Sequence, residues 1–261
     1  GNNDRPGIML ASAVQAYVNR YAVRPGKRAV IFTNNNSAYA VAADLAVTGT
    51  EIVAIVDSRD EVPEEARAVV PGLEVIAGSG VTQAQGHRHV RGVRVTPKSG
   101  GRSRVYSCDL LAHSGGWNPA VHLFSQSRST LTYAEGPATF VPDTPAQSIS
   151  ACGAAKGQFE LSAAMQSGAQ AAAELCRGPA PTTPASDDLA YAIEPIWRVE
   201  QASGKAFLDL QNDVSVDDVH LAIREGYDNV EHVKRYTTGG MGIDQGKTGN
   251  INIIGTVALQ Q

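Results

Sequence analysis

Three stretches of the chain carry residue types and spacings able to hold a ligand. The first is the turn Thr33, Asn34, Asn35, Asn36, Ser37, Ala38, Tyr39, with a carboxylate, Asp57, further on. In a dinucleotide-binding β-α-β unit this turn would read GxGxxG, because glycines let backbone N–H groups approach a pyrophosphate. An acidic residue about 20 positions later would then bind the ribose hydroxyls. Asp57 has the place and the chemistry, but all three glycines are absent, and Asn34 and Ser37 would crowd a phosphate. Two roles stand open for Asp57: ribose ligand, or loop cap in a scaffold that holds no nucleotide.

The second stretch is ACGAAKGQFEL at 151–161, where Gly153, Ala154 and Gly157 precede Phe159 and Leu161 at the start of an alanine-rich helix. Small residues there let a backbone meet a ligand, and a helix N-terminus favours anionic or polar groups; close strand-helix packing explains the same residues. The third is HVKRYTTGGMG from His232, with Asp244, Gln245, Gly246 and Lys247 beyond. Lys234 and Arg235 supply charge and Thr237 and Thr238 supply hydroxyls, suiting a phosphate, a partner subunit or a solvated helix end. No His has Ser-His-Asp or metal-ligand spacing, so His113 and His122 read as structural.

The elements that must position these residues follow from pattern. Residues 29–33 and 51–56 are apolar runs too short for helices, and 37–47 has helical spacing stopped by Gly49, giving a β-α-β unit of a covered parallel sheet. Helix is expected over 8–21, 64–70 and 159–176. Strand is expected over 73–76, 90–96, 104–108, 109–113 and 148–152. A glycine-rich turn, 114–119, separates the last two strands from each other. The stretch 177–187, RGPAPTTPASD, suits no regular element and reads as a linker. Beyond it an extended segment, 197–210, precedes helices over 216–225, capped by Ser215, over 229–236, and after Met241.

Composition removes several function classes. A formal charge of -4 over 261 residues gives no electrostatic case for nucleic acid, and the cluster His87, Arg88, His89, Arg91, Arg94 reads as a solvated strand face. No run approaches the roughly 18 apolar residues of a membrane span and no signal segment opens the chain, so the cytoplasm is the expected location. Cys108, Cys152 and Cys176 are too scattered for a disulfide framework or a metal pair. The start, GNNDRPG with no Met, suggests a preceding domain.

The strings NNDRPGIMLASAVQAYVNRYAVRPGKRAVIFTNN, HSGGWNPAVHLFSQS and FLDLQNDVSVDDVHLAIREGYDNVEHVKRYTTGGMGIDQGKTGN resemble the alpha subunit of heterotetrameric sarcosine oxidase across nearly the whole chain. That resemblance implies an α/β fold: residues 1–177 as the second half of a disulfide-reductase-like FAD/NAD-binding domain, with 25–109 as an inserted Rossmann-like lobe. Residues 178–187 would be the linker, and 188–261 a small helical domain. It implies NAD on the full subunit with a partial site here, at Gly153, Ala154, Gly157, Phe159 and Leu161. It also implies FMN at the interface with a beta subunit, FAD on that partner, and tetrahydrofolate on a further domain.

The tail resembles [2Fe-2S] domains whose cysteines would fall at Asp209, Gln211, Asp244 and near Gly249, so no iron-sulfur cluster is expected. Lys234, Arg235, Thr237 and Thr238 are then the candidate flavin or interface surface. The implied role is a non-catalytic part of an oxidase that oxidatively demethylates sarcosine. Alternatives are an autonomous NAD-binding or interaction module, or the alpha subunit of a related amine or amino-acid dehydrogenase.

Overall fold

A computed structural model describes residues 1–261, which pack as two compact units: Gly1–Asn34 with Ala38–Gly115 and Ile196–Gln261, and Asn35–Ser37 with Gly116–Pro195. In the first unit, strand β1 (Ile8–Leu10) leads into helix α1 (Ala11–Tyr21), so the segment expected to be helical throughout opens as a strand. Ile8, Met9 and Leu10 pair in parallel with Leu111, Ala112 and His113, and this distant ladder takes the backbone groups that local periodicity assigned to a helix.

The β-α-β unit follows as read: β2 (Arg28–Thr33), α2 (Ser37–Val47) and β3 (Glu51–Asp57), with β2 and β3 parallel. Next come α3 (Glu64–Ala68), β4 (Val75–Ile76), β5 (Ser79–Gly86), β6 (Val90–Pro97), β7 (Arg104–Ser107) and β8 (Leu110–Ser114). Strands order as β1-β8-β2-β3-β4 in a parallel sheet, and β5-β6-β7 form an antiparallel one. Strand β5 went unread because its sequence, SGVTQAQG, is mostly polar and small. Val30, Val56 and Leu111 of the parallel sheet form one core with Val81, Ala84, Val90, Val93 and Val95. Each fully buried valine among them contributes about 1.5–3 kcal/mol. Alternation sends Ala29, Ile31 and Ala112 to the opposite face, on which α1 packs against β8.

The second unit holds α4 (His122–Gln126), the antiparallel hairpin β9 (Leu131–Ala134) and β10 (Thr139–Pro142), a 3-10 turn at Gly153–Lys156, and α5 (Leu161–Cys176). The strand expected over 148–152 does not form. The β9–β10 hairpin pairs only with itself and offers that segment no ladder. The proline-rich stretch 178–187 lies within this unit, and α5 buries none of its side chains.

The chain then returns to the first unit with β11 (Phe207–Asp209), β12 (Val214–Ser215), α6 (Val216–Arg224), α7 (Val230–Thr237) and α8 (Asn250–Ala258). Asp218 accepts from the Ser215 amide at 2.8 Å, so α6 starts at the cap the sequence placed, and Asn229, expected inside the next helix, instead caps it by accepting from the Glu231 amide at 2.9 Å. Val214, Val219, Ala222, Val233, Ile253 and Val257 make the core of this module. Of the expected extended segment 197–210 only Phe207–Asp209 is strand, and Asn3 fixes it by donating to the Phe207 carbonyl and accepting its amide, both at 2.8 Å. No helix is long and apolar enough to cross a membrane.

Candidate functional site

Asp57 ends β3 with its side chain fully buried. One carboxylate oxygen accepts from the Arg59 amide and Nε, both at 3.0 Å. The other accepts from Arg59 Nη2 at 2.7 Å and from the Tyr39 hydroxyl at 2.8 Å. A carboxylate has about four lone-pair sites, and these four donors fill them. Burial, then the charge of Asp57, pushes the Tyr39 phenol far above its usual range, so it stays a donor. Burial alone would lower Arg59, but the hydrogen bonds and charge of Asp57 more than offset it and hold the guanidinium protonated. Of the two roles open to Asp57, this geometry favours the loop cap.

The turn before α2 is similarly self-satisfied. The Asn36 amide donates to the Ala192 carbonyl at 3.2 Å, its side-chain amide donates to the Ala190 carbonyl at 2.8 Å, and Asn35 forms a β-bridge with Ile193. Asn35 Oδ1 accepts the Ser37 amide at 3.0 Å. These are the N–H groups a pyrophosphate would need. Spacing placed the turn correctly, but only folding shows that residues 190–193 take its donors.

The stretch 151–161 forms a compact turn. Gly153 and Gly157 have φ of 60° and 83°, and a Cβ on Gly157 would lie 2.9 Å from Val141 Cγ1, so glycine is required there. Phe159 meets the Tyr191 ring edge-on at 4.8 Å. The Leu161 amide, first in α5, donates to the Asp188 carboxylate, and Glu160 accepts the Tyr191 amide at 2.8 Å. Hydrogen bonds from Ser186 and then Leu161 hold Asp188 below the usual carboxylate range. The helix N-terminus expected to favour an anion thus has one from its own chain, 27 residues away and without a local signal.

Lys234 and Arg235 lie in the last turn of α7, where cations suit the helix dipole, and Thr238 closes the helix with φ of 63°. Thr237 donates to the Val233 carbonyl at 2.8 Å, while Arg235 and Thr238 face solvent. Nearby Met241 and Ile243 are exposed, Ile243 at 96%. Asp209 accepts from the Gly240 amide at 2.8 Å and the Gln211 amide at 2.8 Å, and Gln211 accepts from Ile243 at 2.8 Å. These two side chains clasp the loops around 210 and 241. The predicted residues do not converge on one site: Gly153 to Leu161 belong to the second unit, and Asp57 and the α7 residues to separate elements of the first.

The first unit also contains a cavity of about 260 Å³ lined by Phe32, Leu111, His113, Trp197 and Phe207, with Arg198 and Asp217 among its polar groups. Sequence reading took His113 as structural, and no local signal marks it. Cys108 is buried and its thiol is pushed up to about 11 by burial and Asp109, whereas Cys152 and Cys176 are exposed.

A parallel sheet with helix on one face and an antiparallel three-stranded sheet against the other defines the class: a FAD/NAD-binding fold of the disulfide-reductase type. Among solved structures, L-proline dehydrogenase from P. horikoshii superposes with a TM-score of 0.66 at 19% identity, over 100% of this chain and 50% of that one. Lactococcus lactis thioredoxin reductase does so with a TM-score of 0.50 at 20% identity, over 66% and 57%. Residues 203–261 match the family described as Sarcosine oxidase A3 domain. The chain is 36% identical over 99% of its length to Sarcosine oxidase subunit alpha of Rhizobium meliloti (strain 1021), and 39% identical over 98% to that of Corynebacterium sp. (strain P-1). It is homologous to the sarcosine oxidase alpha-subunit family, and it spans 26% and 28% of the length of these two relatives.

Proposed function

We propose that this chain forms part of the alpha subunit of a flavin-dependent sarcosine oxidase, supplying fold and docking surface to a site completed by other polypeptide. The observation that carries this is identity of 36% and 39% to such subunits over 99% and 98% of the chain. In this reading sarcosine is oxidatively demethylated at FAD on a beta subunit, FMN lies at the interface, NAD belongs to the alpha subunit, and tetrahydrofolate takes the one-carbon unit, within a cytoplasmic complex. Residues 1–177 belong to the nucleotide-binding domain, 178–187 link it onward, and 188–261 form a cluster-less helical module.

Gly153, Ala154, Gly157, Phe159 and Leu161 are the residues proposed to border NAD, through the close backbone approach that the positive-φ glycines of this turn allow rather than through the α5 amides, and the filled acceptor sites of Asp57 keep that carboxylate from a ribose. The exposed basic end of α7 beside exposed Met241 and Ile243 supports a docking role for Lys234, Arg235, Thr237 and Thr238. The hydrogen bonds by which Asp209 and Gln211 tie the loops together support a module that needs no cluster. Charge reversal, Lys234→Glu with Arg235→Glu, is expected to weaken subunit assembly and flavin retention, whereas Lys234→Gln with Arg235→Gln, which places no anion at the negative end of the helix dipole, should weaken both less at a similar fold stability. Sarcosine turnover with oxygen by this chain unaided would overturn the reading.

The second reading, an autonomous NAD-binding module using Asp57, rests on the position of that carboxylate at the end of β3. Calorimetry separates the two: NAD binding that vanishes in Asp57→Ala, with the fold retained, supports only the second.

A further inference from the structure

We propose that the cavity in the first unit is a binding site for a small, uncharged, planar nitrogen heterocycle of one or two rings. Its walls include three aromatic side chains, Phe32 from β2, Trp197 from the segment entering the C-terminal module, and Phe207 from β11, together with Ile8 and Leu111. Such walls favour a flat apolar body. His113 also lines the space. It stands on β8 between Leu10 of β1 and Phe32 of β2, and its imidazole has no hydrogen-bond partner in the protein. A neutral imidazole offers one donor and one acceptor, and on this half-buried residue both remain open to an occupant of the cavity.

Burial lowers the pKa of His113, so the ring facing the cavity is neutral at ordinary pH. An occupant must therefore carry a hydrogen-bonding edge without a compensating charge. Arg198 and Asp217 border the same space with opposite charges, which disfavours both an anion and a cation. Water would serve His113 but not the aromatic walls. The volume of about 260 Å³ lies just below the roughly 300–1,000 Å³ of pockets for drug-sized ligands, which sets the occupant at one or two rings.

Benzimidazole, with one ring N–H and one ring nitrogen acceptor, is the probe, and naphthalene is its apolar counterpart. Ligand-observed NMR and calorimetry at pH 8 should show saturable benzimidazole binding. His113→Leu should weaken it about tenfold, the value of one hydrogen bond, and leave naphthalene binding unchanged. His113→Gln, which keeps a donor and an acceptor, should stay within about threefold of the native protein. Ala202→Leu, at a half-buried position of the cavity wall, should abolish binding of both probes, and it carries the test alone if His113→Leu fails to fold. Absence of saturable benzimidazole binding, or equal binding by the native protein and Ala202→Leu, would overturn the proposal.

Discussion

Replacing Asp57 by Asn tests the buried knot at the end of β3. The substitution keeps the oxygen that accepts the Arg59 amide and Nε, but sets an NH2 group against Arg59 Nη2 and the Tyr39 hydroxyl, now at 2.7 Å and 2.8 Å from an acceptor. Arg59 keeps its charge, and its side chain is only 6% exposed. Removing one partner of such a buried pair costs about 3–5 kcal/mol, a large share of the roughly 5–15 kcal/mol that holds a domain folded. For a chain of this size that corresponds to a Tm lower by on the order of 10 °C. Tyr39→Phe removes the hydroxyl that donates to the carboxylate and also hydrogen-bonds Arg59, and should cost at least the roughly 1.5–3 kcal/mol typical of a hydrogen bond to a charged group. The double variant should cost less than the sum of the singles, because the Tyr39 contact is lost in both. Urea unfolding followed by tryptophan fluorescence measures all three. A loss below about 1 kcal/mol for Asp57→Asn, accompanied by loss of NAD binding, would refute this reasoning and make the carboxylate a ribose ligand.

Four further outcomes are expected. Burial alone would raise the Asp209 pKa, but amide hydrogen bonds from Gly240, Gln211 and Asn212 bring it below the usual 3.8. Its contribution is therefore full above that value and lost as pH falls through the lower folded pKa, a dependence that acid unfolding of Asp209→Asn should lack. The same variant should speed hydrogen exchange at the Gly240 amide.

His113, depressed by burial, acts at higher pH. Below about 6.5 the unfolded chain takes up a proton that the folded ring resists, so stability should fall by up to about 1.4 kcal/mol per pH unit, and His113→Gln should remove that slope in urea titrations. A thiol reagent should label Cys152 and Cys176 in the folded protein and Cys108 only on unfolding, as counted by mass spectrometry.

The β-α-β unit was legible because its signals are local: apolar runs at 29–33 and 51–56, helical spacing between them and a stop at Gly49. The cap Ser215 was legible for the same reason, since its partner Asp218 lies only three residues away. Strand β1 was not, because its ladder lies on Leu111 to His113. Residues 148–152 have strand composition without a strand partner, and β5 has a strand partner without strand composition.

By itself the sequence determined that the turn between two apolar runs lacks the glycines of a nucleotide fingerprint, and that a carboxylate follows at the end of the second run. The tertiary structure alone decided what those groups do. Tyr39 and Arg59 fill the acceptor sites of Asp57, Ala190 and Ala192 take the donors of Asn36, Asp188 supplies the anion at α5, and His113 is left facing a cavity with its hydrogen bonds unmade. The physical reason is that residue type fixes which bonds a group is able to make, whereas the partner it receives depends on what distant chain segments bring within about 3 Å.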